Sequence, residues 1–330
     1  FFQAEDGIRD SVASRGLGDV YKRQIIVSLN KTETWKWKNW EISWSLSKES
    51  TSEKNIKILL VHGFGASKNH WRHNQDFLGK FSNCYAIDLL GFGKSSQPSA
   101  LLNYEPDKEN SIKYSFDLWG NQISTFCAEV IKSPVYLVGN SIGGVIALKA
   151  AEILKDNCKG IILIDCAQRT MDDKRLKKSD ILMNLLRPVL KTIVRQRVIS
   201  NTLFTRAANP KVIKKILEQA YPSGKNIDKE LIEILYQPSQ RKNSKEAFRG
   251  FINLFDDYLA TDLFHKVDAP IQLIWGEEDP WESLNEAIEW KKLFRNIKRL
   301  DIIKGAGHCP HDEEPEKTNK LINEFIQETK

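Results

Sequence analysis

Val135-Tyr136-Leu137-Val138-Gly139-Asn140-Ser141-Ile142-Gly143-Gly144-Val145-Ile146-Ala147-Leu148 reads as a strand, a tight turn and a helix in immediate succession. The apolar run before Gly139 suits a short buried strand, and the stretch from Val145 to Ala151 has the composition of a helix packed against it. A strand that turns this sharply into a helix pushes the middle residue of the turn into a strained, exposed conformation. Glycine two places before and after lets the flanking backbones pass closely. Ser141 is therefore the candidate nucleophile.

The same alternation runs along most of the chain. Strands are predicted over 56–61, 84–90, 135–139, 161–165, 271–275 and 300–303, with helices over 115–131, 144–154, 282–294 and 315–328. Trp35-Lys36-Trp37 and Trp40-Glu41-Ile42-Ser43-Trp44 alternate with period two, which predicts an antiparallel pair at a sheet edge. Such a pattern predicts an α/β fold: a mostly parallel sheet covered by helices on both faces, with function at the carboxyl ends of the strands. Between 167 and 266 the alternation gives way to helical pattern, read as a cap inserted into a core formed by 25–166 and 267–330.

Residues 1–24 resemble translated sequencing-adapter text. They are expected to be disordered, to replace the native start and to lie outside the fold.

Composition narrows the function classes. The chain has 330 residues, 41% of them apolar, and a formal net charge of +6. No apolar run is long enough to span a bilayer. Five scattered cysteines without a CxxC pair argue against a disulfide framework or a zinc site and for a reducing compartment. No metal, cofactor or nucleic-acid partner is implied. Asp88 stands where a phosphate-binding loop would need glycine, so the run Asp88 to Ser95 is not one. Charge is concentrated in the cap: residues 174–215 carry twelve Lys or Arg and one acid, Asp180. An apolar stripe that includes Leu182 and Leu186 runs through the same segment, with Pro188 a predicted kink. A basic amphipathic helix of this kind either lies on an anionic membrane or simply presents a solvated basic face.

A serine hydroxyl needs a base, and the base needs an acid to fix its tautomer. In this type of fold the order along the chain is serine, acid, histidine. His308, in the Gly-rich loop after the last predicted strand, is the candidate base. His311, beside three acidic residues, reads as a surface residue. Asp279, after the strand 271–275, is the candidate acid, and Asp165, at the end of an earlier strand, is its competitor. Oxyanion donors are expected from the Ile142 amide and from the Phe64 amide in His62-Gly63-Phe64-Gly65, with His62 bracing that loop. Trp71, Trp119 and Trp281, with Phe64, are candidates either to shape the substrate pocket or to belong to the core, and Leu182 and Leu186 of the cap stripe are candidates to line that pocket.

From 56 to 325 the chain resembles the α/β-hydrolase superfamily, specifically its cyanobacterial and chloroplast branch that includes chlorophyll dephytylase and pheophytinase. The resemblance is carried by His62-Gly-Phe-Gly-Ala-Ser67 with His70-Trp71-Arg72, Tyr85-Ala-Ile-Asp-Leu-Leu-Gly-Phe-Gly93, Gly139-Asn-Ser-Ile-Gly-Gly144, Trp275-Gly-Glu-Glu-Asp-Pro-Trp281 and Gly305-Ala-Gly-His-Cys-Pro-His311. It implies that Ser141, Asp279 and His308 form a triad, with Phe64 and Ile142 as oxyanion donors. The implied reaction is cleavage of the phytyl ester of chlorophyll or a related pigment, in the bacterial cytoplasm or the plastid stroma, with peripheral thylakoid contact through the basic cap. Asp165 stands where relatives often carry a neutral residue. Two other readings use the same residues: a different carboxylesterase or a carbon–carbon bond hydrolase of the meta-cleavage type, and a slow-turnover receptor. Dehalogenases and epoxide hydrolases need aspartate where Ser141 stands.

Overall fold

In the computed structural model the described residues are 32–47, 56–175 and 181–330, the side chains of 181–187 excepted. Residues 1–24, and the expectations placed on them, lie outside the described residues.

The strands in chain order are β1 (Thr32–Trp37), β2 (Trp40–Ser47), β3 (Lys57–Val61), β4 (Asn83–Ile87), β5 (Ser99–Ala100), β6 (Ser111–Ile112), β7 (Val135–Asn140), β8 (Cys158–Ile164), β9 (Ile271–Gly276) and β10 (Ile297–Ile303). Eight form one sheet in the order β1-β2-β4-β3-β7-β8-β9-β10, and β5 with β6 makes a small separate ribbon. The tryptophan-rich pair is an antiparallel hairpin at the sheet edge, in register from Thr32↔Ser45 to Trp37↔Trp40, and β2 joins β4 antiparallel. All pairings from β4 to β10 are parallel.

Strands β7 and β9 are buried along their whole length. They read as continuous apolar runs because helices cover both faces of the sheet. Along β3, Leu59 and Val61 join the core on one face with Trp119 and Leu148, whereas Ile58 and Leu60 join the other with Leu78, Ile322 and Phe325. The sheet is thus the middle layer of a three-layer stack. The chain order reverses at β3, which has β4 on one side and β7 on the other, so the loops after β3 and β7 meet at the switch point where open α/β sheets place their sites.

Strand β4 stops at Ile87, three residues short of the expected end. Asp88 turns the chain out of the sheet: its carboxylate accepts from the Lys68 amide at 2.7 Å and the Lys94 amide at 2.9 Å. Leu89 and Leu90 are apolar because they are buried, not because they pair. The helix expected over 115–131 is an α-helix from Phe116 to Phe126, capped by the Ser115 side chain, which continues as a π turn, Cys127–Ile131.

Between β8 and β9 the described residues form helices Ile181–Arg195, Arg197–Ala207, Pro210–Ala220, Lys229–Ser239, Ser244–Ile252 and Ala260–Phe264. Pro188 lies inside the first of them. Leu217, Tyr221 and Leu231 of this helical segment form a small apolar cluster with Cys309, just beyond β10.

Candidate active site

Ser141 follows β7 and caps the helix Ile142–Leu154, with φ 55° and ψ −123°. Such a conformation costs on the order of 1 to 3 kcal/mol for a residue with a Cβ. Surrounding hydrogen bonds hold it there. The Ser141 amide donates to the Ile164 carbonyl at 3.0 Å, and its carbonyl accepts from the amides of Gly144 at 3.0 Å and Ala167 at 3.1 Å. The flanking glycines answer to real crowding: a Cβ on Gly139 would sit 2.3 Å from the Gly143 carbonyl oxygen, and one on Gly143 would sit 2.3 Å from that of Val61.

His308 lies beyond β10 and Asp279 beyond β9. Nδ1 of His308 is 2.8 Å from Oδ2 of Asp279, and both side chains are buried. The other Asp279 oxygen accepts from the amides of Trp281 at 2.8 Å and Glu282 at 3.2 Å. Burial pushes the Asp279 carboxyl upward, but the hydrogen bond from His308, the charge of that ring when protonated, the Trp281 amide and the Asp165 side chain outweigh it and hold the group below its ordinary value. Whenever the ring holds a single proton, the bond to an ionised Asp279 places it on Nδ1 and leaves Nε2 with its lone pair, the form that accepts a proton. The loop is tied down at His308 itself. The His308 amide donates to the Ala220 carbonyl at 2.9 Å, and Asn140, immediately before Ser141, donates its side-chain amide to the His308 carbonyl at 3.1 Å.

The loop after β3 comes against the same turn, since a Cβ on Gly63 would be 3.2 Å from the Ser141 Cβ. His62 braces it. Nε2 accepts from the Leu89 amide at 3.1 Å, so Nδ1 carries the hydrogen given to the Gly63 carbonyl at 2.7 Å. Burial lowers its pKa and keeps it neutral. Next in the chain, the Phe64 ring stacks on Phe251 with centroids 4.0 Å apart. Ile142 opens the helix whose first amides point toward Ser141. Trp281 is 43% exposed, and its ring stands edge-on to that of His308, 4.8 Å away.

Three expectations need correction. Trp71 does not shape a pocket: it is buried among Ile58, Leu60 and Leu78 and packs 4.4 Å from His311. Trp119 is likewise core, its indole N–H donating to the Leu90 carbonyl. His311 is no surface residue. It is fully buried, and among the described residues neither ring nitrogen has a hydrogen-bond partner. Its acidic neighbours face elsewhere, Asp312 to Arg72 and Glu313 to Ser223 and Gly307. Burial drives the His311 pKa well down and leaves the ring neutral. The side chains of Leu182 and Leu186 lie outside the described residues. Asn140 has a positioning contact that the sequence reading did not assign, although it stands inside the Gly-Asn-Ser motif.

Residues 57–315 match the family model of the alpha/beta hydrolase fold. The chain belongs to the α/β-hydrolase fold family. Among characterised members it is 28% identical to the chloroplastic pheophytinase of Arabidopsis thaliana over 82% of this chain and 61% of that protein. It is also 27% identical to epoxide hydrolase 3 of Xenopus tropicalis, over 84% of this chain and 73% of that protein. The chain thus spans about three fifths of the length of the pheophytinase. Among solved α/β-hydrolase structures, that of a bacterial membrane phospholipase A superposes with a TM-score of 0.67 at 25% identity, covering 96% of this chain and 92% of that one. Since these names span different reactions, the choice between them rests on the residues of the site.

Proposed function

We propose that the protein is a serine hydrolase of carboxylic esters, with Ser141 as nucleophile, His308 as general base and acid, and Asp279 as the residue that orients His308. The observation that carries this reading is the 2.8 Å Asp279–His308 hydrogen bond, joined through Asn140 to the strained turn at Ser141. As the Ser141 Oγ forms its bond to the ester carbonyl carbon, its proton passes to Nε2 of His308. The resulting oxyanion is met by the amides of Phe64 and Ile142. Collapse breaks the carbon–oxygen bond of the alcohol, which leaves with the proton from His308, and an acyl-serine remains. Water then attacks the acyl carbon, giving its proton to His308, and the acid departs as Oγ regains a proton.

The finer reading is the phytyl ester of chlorophyll or pheophytin, with free phytol as one product. Its support is the similarity to pheophytinase and the character of the helical segment between β8 and β9. There Val189, Leu190, Ile193, Val198, Leu203 and Ile216 are exposed beside the basic residues of the same helices. Exposed apolar side chains on helices rich in lysine and arginine suit an anionic bilayer, from which a water-insoluble ester would be drawn. Detergent-dispersed chlorophyll a and pheophytin a, incubated with the wild type and with Ser141→Ala, test the substrate. Dephytylated pigment and phytol from the wild type alone are expected. If pigment stays intact while short nitrophenyl esters are cleaved, the esterase reading stands and the pigment falls. Flotation with phosphatidylglycerol vesicles at low salt tests the surface, and failure to float with them removes the membrane role.

A further inference from the structure

Asp165 closes β8 at φ 42° and is fully buried. Its amide donates to the Ile274 carbonyl at 3.0 Å, and its Oδ1 accepts from the Gly276 amide at 3.0 Å. Oδ2 has no amide or hydroxyl donor among the described residues. Among the described residues, the Asp279 carboxyl lies within hydrogen-bonding reach of this side chain. Two carboxylates in contact away from water repel, so such a pair keeps one proton between them. Geometry decides which oxygen holds it. Asp279 already accepts two backbone amides and His308 Nδ1, whereas Asp165 accepts a single amide and has one oxygen left over.

We propose that Asp165 is a positioning residue held as a neutral carboxylic acid, whose Oδ2–H donates to the Asp279 carboxylate and fixes it for His308. The proposal rests on the triad reading above. Burial, then the Asp279 charge and hydrogen bond, raise the Asp165 pKa well above its ordinary value, which agrees with the geometry. The other titratable groups around it are Glu282 from the β9 loop, Cys166 next in the chain, and His308 and Cys309 from the β10 loop. Both thiols are pushed upward by burial, and a negative charge on Glu282 raises the Asp165 pKa further.

Asp165→Asn tests this, because an amide keeps an acceptor for Gly276 and a donor for Asp279 while removing the acid. In infrared difference spectra between wild type and Asp165→Asn near neutral pH, the carbonyl stretch of a protonated carboxylic acid should be lost. With a short nitrophenyl ester, Asp165→Asn should keep kcat within about twofold and leave the acidic limb of the pH profile in place. Asp165→Leu should lower kcat about tenfold or more, as loss of a supporting hydrogen bond does. Absence of a protonated-acid band overturns the proposal, as does a downward move of the acidic limb in Asp165→Asn, the signature of a removed negative charge. Leucine activity equal to wild type does so as well. If the leucine variant does not fold, the infrared and asparagine arms decide alone. Because the infrared reading needs no turnover, it can fail while Ser141 remains the nucleophile.

Discussion

The side-chain amide of Asn140 donates to the His308 carbonyl at 3.1 Å and to the Ile164 carbonyl at 3.2 Å. The residue before the nucleophile thus fastens the loop of the base to the turn of the nucleophile, so the separation of serine and histidine is set by a side chain and not only by the sheet. Asn140→Ala should lower kcat by roughly ten- to a hundredfold with little change in KM, since small displacements of reacting groups are costly. Loss of two buried hydrogen bonds should also lower stability by about 1 to 3 kcal/mol. Steady-state kinetics beside thermal denaturation separates the two effects.

Asp279→Asn would keep the shape of the site and invert its hydrogen bonding. An asparagine that turns its N–H₂ toward Nδ1 favours the tautomer whose Nε2 carries hydrogen and takes no proton from Ser141. The expected loss in kcat is about four orders of magnitude, the size seen when a triad acid becomes an amide. Ester hydrolysis at neutral pH by the purified variant checks it, with wild-type circular dichroism as the folding control.

Glu282 provides a pH dependence of stability. Its carboxylate accepts from the Gln168 amide at 2.8 Å, and burial pushes its pKa from 4.5 up to about 7. Between those values the folded protein holds a proton that the unfolded chain releases, so this group makes stability fall as pH rises through that window. A glutamine accepts the same hydrogen bond without the charge. Glu282→Gln should therefore remove that slope and add on the order of 1 to 3 kcal/mol above pH 7, measured by urea unfolding across the range.

Arg72 pins three segments together. From the short turn after β3 it donates to both oxygens of buried Asp312, at 2.8 and 3.2 Å, to Asp228 at 2.8 and 2.9 Å, and to the Asn226 carbonyl at 2.8 Å. Removing the guanidinium leaves the buried Asp312 carboxylate without its cation, although the Tyr221 hydroxyl still donates to it at 3.1 Å. Arg72→Ala should lower stability by about 3 to 5 kcal/mol. Arg72→Lys should recover only part of it, because an ammonium cannot serve these acceptors with a planar fork. Denaturant midpoints of the three proteins read this order directly.

Much of this architecture is legible in the sequence where backbone physics dictates the residue. The turn at Ser141 is written in Gly139 and Gly143, whose Cβ atoms would collide with neighbouring carbonyls, and the edge hairpin is written in the period of its tryptophans. Features that depend on distant partners are not written locally. Leu89 and Leu90 extend an apolar run, yet the strand ends because Asp88 finds the amides of Lys68 and Lys94. Acidic neighbours make His311 look exposed, but each of them turns to a partner contributed by another segment. The roles of Asp165 and Asp279 cannot be separated by spacing, since both follow strands in the right order. What distinguishes them is that His308 bonds one and a single amide bonds the other.

The most direct measurement is labelling by a fluorophosphonate, followed by intact mass and peptide mapping. One phosphonyl adduct on the Ser141 peptide is expected for the wild type, none for Ser141→Ala, and much slower labelling for His308→Gln. Folded wild-type protein that takes no label, or takes it on another residue with Ser141 unmodified, would contradict the assignment of Ser141 as the activated nucleophile.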